Sequence, residues 1–210
     1  MNITYSFNYQ EMVENIYKDA RWEAYYDMVI IPLFKLCCKD KGVKIVPVHA
    51  TRKSGRKPLV EKKHFIETYS WVKDFTNKKG EIEKKRVGIP DYVIVPLEST
   101  YENPQKSLVN IEFKLPNGLT EKYIEIKPQT YKTELLHQFK LCSSIIFTDG
   151  VTWYFLENKE DIDKAEPIRL YDSKNNCWKT NDEEYSDTES ELLNRMDSIL
   201  NKVLSENRSC

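Results

Sequence analysis

The 210-residue chain predicts a mixed α/β fold of the α+β kind, a mixed β-sheet with helices on its faces. Two observations carry that expectation. Apolar residues recur at helical spacing near both ends and once in the middle, while the stretches between them are short, alternating or β-branched runs. Turn signals at Asn103-Pro104, Asn117-Gly118 and Asp149-Gly150 separate those runs. The order is helix, three or four antiparallel strands, helix, two strands, helix, which closes around one core as a sheet covered by helices.

The elements follow in turn. Asn8 and Glu11 resemble a capping box, and Val13, Ile16, Tyr17, Trp22, Tyr25, Tyr26, Val29, Ile30, Leu33, Phe34 and Cys37 keep helical spacing behind it. Pro32 is expected to kink or divide that helix. "VKIVPVHA" is a short strand, and the basic "TRKSGRKPLVEKKH" has no period and reads as a loop or lobe. "HFIETYSWVKDF" is aromatic and β-branched and fits helix or strand. Strands are expected at 91–97, in "SLVNIEFKL" and in "KYIEIK". A helix follows in "TELLHQFKLC", with Thr133 as N-cap. "SIIFTDG" and "TWYFLE" form a hairpin through Asp149-Gly150. After a polar stretch over 158–185, a Thr188/Glu191 capping box opens a last helix. Its apolar face holds Leu192, Leu193, Met196, Ile199, Leu200, Val203 and Leu204, a stripe suited to packing on the core or on a partner.

Bulk properties narrow the function classes. A chain that is 40% hydrophobic and 31% charged is globular rather than disordered. No apolar run reaches the roughly 18 residues of a membrane span, and no secretory signal is visible, so a cytoplasmic location is expected. Five cysteines, with no C-x-x-C spacing, oppose both a disulfide framework and a zinc site, and Cys37 and Cys142 read as reduced core residues. The three histidines lack metal-ligand spacing. The net charge of −1 hides an asymmetry: twelve basic against five acidic residues from Arg52 to Arg86, and fourteen acidic against seven basic from Glu157 to Glu206. A basic segment suits a phosphate backbone, and Arg52, Lys53, Arg56, Lys57, Lys62 and Lys63 are its candidate contacts.

One constellation carries chemistry. In "NIEFKLP", Glu112 and Lys114 lie two apart on a strand and share a face, while Ile111, Phe113 and Leu115 face the other way. Asp91 opens the preceding strand, and both it and Glu112 lie about ten residues from the turn, so the hairpin sets them side by side. Two adjacent carboxylates repel in an apolar strand setting. A Mg²⁺ ion relieves that cost, binding through one or two carboxylates and sharing its other positions with water and substrate phosphate. Lys114 can orient water or stabilise charge on a phosphate. Metal, carboxylates and lysine together equip a site for phosphodiester hydrolysis. Glu125 and Lys127 in "YIEIKP" repeat the spacing and form the alternative pair.

The stretch "GIPDYVIV…LVNIEFKLP" resembles the PD-(D/E)xK nuclease superfamily, whose signature is Pro-Asp on one strand and Glu-x-Lys on the next. The likeness is closest to the restriction-type branch, including the N-terminal nuclease domain of type I restriction R subunits. It extends to Glu23 ahead of "VIIPLF", Gln138 in "ELLHQF" and the Thr-Asp-Gly turn before a Trp-containing strand in "IIFTDGVTWYF", and covers roughly 11–156. It implies a restriction-endonuclease-like core over 1–157, with a basic insertion at about 51–86, followed by a polar segment and amphipathic helix over 158–210. It also implies a metal-dependent nuclease. Asp91, Glu112 and the Phe113 main-chain carbonyl would hold Mg²⁺ or Mn²⁺, and Lys114 would position the attacking water. Glu23 would support the metal or water shell, with Asp27 one turn on as the alternative acid, and Gln138 would contact phosphate or order the site.

DNA is the implied substrate ahead of RNA, in a restriction, defence or mobile-element setting, and two-strand cleavage would call for a homodimer or a larger complex. The sequence departs from the pattern where the glutamine is often followed four residues on by tyrosine, here Cys142. The first Glu-x-Lys is favoured because it flanks a simple hairpin with Asp91 and has the family's usual sequel. The second needs a different register, though it lies nearer Gln138 in sequence; if it is not catalytic, it reads as a solvent-facing pair on an edge strand. Two other functions fit: a nuclease-fold binding or regulatory subunit, such as an inhibitor, and an unrelated α/β interaction protein.

Overall fold

The structure, a computed structural model, describes residues 9, 11–14, 27–48, 68–100, 102–118, 122–172, 174, 177–179 and 182–208. Its centre is a six-stranded mixed sheet. The strands are β1 (Val43–Pro47), β4 (Tyr92–Pro96), β5 (Val109–Phe113), β6 (Ile145–Thr148), β7 (Thr152–Leu156) and β8 (Ile168–Arg169), hydrogen-bonded in the order β1-β4-β5-β6-β7-β8. Only β5 and β6 run parallel. Two ribbons stand apart from it: β2 (Trp71–Thr76) with β3 (Ile82–Val87), and β9 (Tyr171–Asp172) with β10 (Cys177–Trp178).

The central strands are buried on both faces, as their nearly continuous apolar runs require. On one face lie helices α1 (Asp27–Cys37) and α4 (Asp182–Arg208). Val29, Ile30, Leu33 and Phe34 of α1 meet Leu192, Met196, Ile199, Leu200 and Val203 of α4 over Ile94, Ile111, Phe113, Ile146 and Trp153. The C-terminal stripe is therefore core packing. Lys41 holds Asp197 at 2.6 Å, and Glu157 receives Arg195 and Lys202 at 2.5 and 2.6 Å, tying α4 to the sheet's rim.

On the opposite face, a 3-10 turn (Pro128–Tyr131) leads into α2 (Lys132–Gln138), and the short α3 (Asp161–Lys164) lies beside them. Leu135, Ile145, Phe147, Tyr154, Leu156 and Ile162 form the core there, and Val46, Val93, Val95 and Tyr69 form a smaller cluster on the β1–β4 side. Between these clusters the face turns polar, at Asn110 and Glu112.

Several expectations change. "KYIEIK" is not a strand: Ile124 makes one isolated bridge to Asn117, and the 3-10 turn begins at Pro128. The crossing segment buries Tyr123 and Ile126, three residues apart, and leaves Ile124 exposed, so the apolar alternation of the sequence does not set its burial. In "HFIETYSWVKDF", residues 64–67 lie outside the described residues, and the remainder resolves to strand over Trp71–Thr76. Pro32 lies inside α1 without dividing it. The α2 N-cap is Tyr131 rather than Thr133, because the 3-10 turn feeds straight into the helix. α4 begins at Asp182, before the Thr188 capping box, and the stretch 158–185 contains α3, β8, β9 and β10. The first-helix residues 15–26 lie outside the described residues.

Candidate active site

The site is built at the end of the β4–β5 hairpin. Tyr92 pairs with Ile111, so the antiparallel register brings Asp91, one residue before β4, next to Glu112. Asp91 receives the Phe113 N–H on Oδ2 at 2.7 Å, and its own N–H donates to the Ile111 carbonyl at 3.1 Å. On the other edge of β5, Lys114 N–H donates to the Thr148 carbonyl at 2.8 Å. Because a strand residue sends its N–H and C=O to one edge, the Phe113 carbonyl leaves on the Asp91 side.

Strand alternation does the rest. Ile111 and Phe113 enter the α1/α4 core, while Asn110, Glu112 and Lys114 take the α2 face. Glu112 is 2% exposed and forms an ion pair with Lys114. Its other oxygen accepts a hydrogen bond from Gln138 Nε2 at 2.6 Å. Gln138 Oε1 in turn accepts from Asn110 Nδ2 at 3.3 Å, and Asn110 Oδ1 from Ser107 Oγ at 2.7 Å. That chain fixes which end of the Gln138 amide faces the carboxylate. Lys114 also pairs with Glu134 at 3.2 Å and lies 4.8 Å from the Tyr131 ring centroid.

The electrostatics follow from burial. Loss of water pushes the Glu112 carboxyl well above the usual range, and the neighbouring Asp91 charge pushes it further, against the pull of Lys114. Burial works against the Lys114 charge, yet Glu112, then Glu134 and Asp91, raise its pKa, so it stays an ammonium at neutral pH. Three carboxyl groups, those of Asp91, Glu112 and Glu134, thus surround the one ammonium of Lys114.

Asp91, Glu112, Lys114 and Gln138 therefore meet. Glu23 and the basic candidates Arg52, Lys53, Arg56, Lys57, Lys62 and Lys63 lie outside the described residues. Asp27 accepts a hydrogen bond from the Tyr92 hydroxyl, whose ring belongs to the core on the other face. The second Glu-x-Lys pair is separated by its partners: Glu125 is held bidentately by Arg169 at 2.5 and 3.1 Å and accepts from Tyr154 at 3.2 Å, while Lys127 is exposed. It lies on no strand, so the edge-strand expectation fails, although its partner set is structural.

Three contributors went unread in the sequence: Glu134, Asn110 and Tyr131. Glu134 precedes Gln138 by one helical turn and Asn110 precedes Glu112 by one strand period, so both spacings were available as signals. Tyr131 sits in the 3-10 turn, where no periodicity points to it.

Among the described residues, no group of three or more His, Cys, Asp or Glu side chains is arranged to hold a metal ion. The Asp91–Glu112 pair nevertheless fits a magnesium-type ion, which needs few carboxylates, prefers oxygen donors and keeps its waters. The adjacency of Asp91 to the buried Glu112, set by the β4–β5 register, is the observation behind that fit. No protein-family model matches the chain, and neither a curated protein nor a solved structure matches it significantly.

Proposed function

We propose that the protein is a metal-dependent nuclease of the PD-(D/E)xK type, hydrolysing phosphodiester bonds in DNA, with a restriction-endonuclease-like core. The observation that carries this reading is the meeting of Asp91, Glu112, Lys114 and Gln138 at one strand end. Asp91, Glu112 and the Phe113 carbonyl would hold Mg²⁺ or Mn²⁺. Such an ion, when bound, polarises a phosphoryl oxygen and makes its water a better nucleophile.

The chain's own groups do the remaining work. Lys114, kept cationic, cannot act as a base at neutral pH; it donates hydrogen bonds that orient the attacking water and stabilise charge growing on the phosphoryl oxygens. Glu134 and the Tyr131 ring hold its ammonium in place. Gln138 fixes the Glu112 carboxylate through the amide chain from Asn110. Products with a 5′-phosphate, and a defence or mobile-element setting, are what the resemblance implies.

A second reading, a nuclease-fold binding or regulatory subunit, draws on one observation: both Glu112 oxygens already have donors. The test is incubation of wild type and Asp91→Ala with plasmid and single-stranded DNA in Mg²⁺, Mn²⁺ or EDTA. The nuclease reading expects cutting in either metal, none in EDTA, and a loss of about 10²-fold or more in the variant. No cutting by wild type, together with no calorimetric Mn²⁺ binding, would move the function to the regulatory reading.

A further inference from the structure

A groove of about 350 Å³ separates the β2–β3 ribbon from α2, lined by Lys73, Phe75, Val87, Thr133, Glu134 and His137. It opens beside the candidate active site, because Glu134 both lines it and pairs with Lys114. The ribbon is anchored rather than loosely appended. Gly88 follows β3 at φ +63°, and a Cβ there would sit 2.6 Å from the His137 Cβ, so the chain presses directly on the helix. Arg86 donates to Ser70 Oγ at 3.0 Å at its base, and Asn77 Oδ1 accepts from the N–H groups of Lys79 and Glu81 at its turn.

The face turned to the groove is set by register. Trp71, Lys73 and Phe75 alternate along β2, and Lys73 lies directly opposite Lys85. Both ammonium groups flank the Phe75 ring, at 5.6 and 5.8 Å from its centroid, and Lys140 lies 4.7 Å over Trp71. Residues 71–87 hold six basic and three acidic side chains. Lys73 forms no ion pair among the described residues. Burial, and then Lys73 and Lys140, lower the pKa of His137.

An aromatic ring beside lysine ammonium groups is how proteins hold unpaired bases and the phosphates beside them. The volume lies at the small end of ligand sites, roughly 300 to 1,000 Å³, which is room for a single nucleotide. Resting on the nuclease reading, we propose that this groove holds an unpaired nucleotide of the DNA substrate next to the cutting centre. Its base stacks on Phe75, and Lys73, which lines the groove, turns from the ring to a flanking phosphate, while Lys85 stays paired with Glu83 at 3.5 Å. The preferred substrate is then a single strand, flap or overhang.

Binding in EDTA tests this without requiring any cleavage. Fluorescence anisotropy would compare a labelled oligothymidine with a labelled duplex of equal length, for wild type, Phe75→Ala, Phe75→Tyr and Lys73→Gln. Wild type is expected to bind the single strand at least about 10-fold more tightly than the duplex. Phe75→Ala should weaken single-strand binding by about 5- to 100-fold, with Phe75→Tyr restoring it. Lys73→Gln should flatten the salt dependence of that binding. Equal loss on both ligands, no loss in Phe75→Ala, or no single-strand binding by wild type overturns the proposal. Failure to cut with metal, alongside intact selective binding, would count against the nuclease reading instead.

Discussion

Glu112 depends on its neighbours more than any other residue of the site. A carboxylate this buried is tolerated as an anion only while Lys114 and Gln138 donate to it. Replacing Gln138 tests that dependence. Gln138→Ala removes the donor to Glu112 and leaves the Asn110 amide buried without its acceptor, a loss of about 1 to 3 kcal/mol in stability by denaturant titration. Gln138→Glu places a second carboxyl against the first, which raises the pair's affinity for a proton and should reduce any metal-dependent activity at neutral pH. At this scale the sequence was legible where a side-chain period applied. Asp91, Glu112 and Lys114 follow from strand alternation and hairpin register. Glu125 shows the limit, since its spacing equals that of Glu112 but Arg169, 44 residues away, claims its carboxylate. No local pattern announces that pairing.

The β6–β7 hairpin shows how one element carries its own pH dependence. Asp149 Oδ1 accepts from the N–H groups of Val151 and Thr152 at 2.9 and 2.8 Å, and Oδ2 from Tyr123 at 2.7 Å, while Gly150 turns the chain at φ +85°. Burial nonetheless pushes the Asp149 carboxyl up to about 6. Its folded pKa exceeds its unfolded one, so its contribution is complete below about pH 4 and is lost as pH rises through about 6. The span corresponds to roughly 3 kcal/mol. Asp149→Asn keeps an acceptor for both N–H groups, and Tyr123 can donate to Thr152 Oγ1 at 2.7 Å instead. The stability of the variant relative to wild type should therefore rise between pH 4 and pH 7, read from urea unfolding; a constant difference would show that Asp149 is ionised throughout. The hairpin itself was readable from Asp-Gly between two apolar runs. The misread "KYIEIK" was not, because its alternation of apolar and polar residues imitates a strand, whereas the crossing segment forms no ladder and buries Tyr123 and Ile126, three residues apart.

Across the whole molecule, the layered arrangement explains why the site lies where it does. Helices α1 and α4 cover one face of the sheet, α2 covers part of the other, and the polar strip between the two smaller cores sets Asn110, Glu112 and Lys114 under the edge of α2. The element order predicted a sheet with helices on both faces. Strand order and the single parallel pair β5–β6 were not predictable, because they depend on which edges the crossover brings together. No helix among the described residues is long and apolar enough to cross a membrane. The most direct measurement is the initial rate of Mg²⁺-dependent DNA cleavage by wild type, Lys114→Ala and Lys127→Ala, side by side. A site centred on Asp91, Glu112 and Lys114 predicts a loss of at least about 10²-fold in Lys114→Ala and an unchanged rate in Lys127→Ala. An active Lys114→Ala protein, or loss in Lys127→Ala alone, would contradict it.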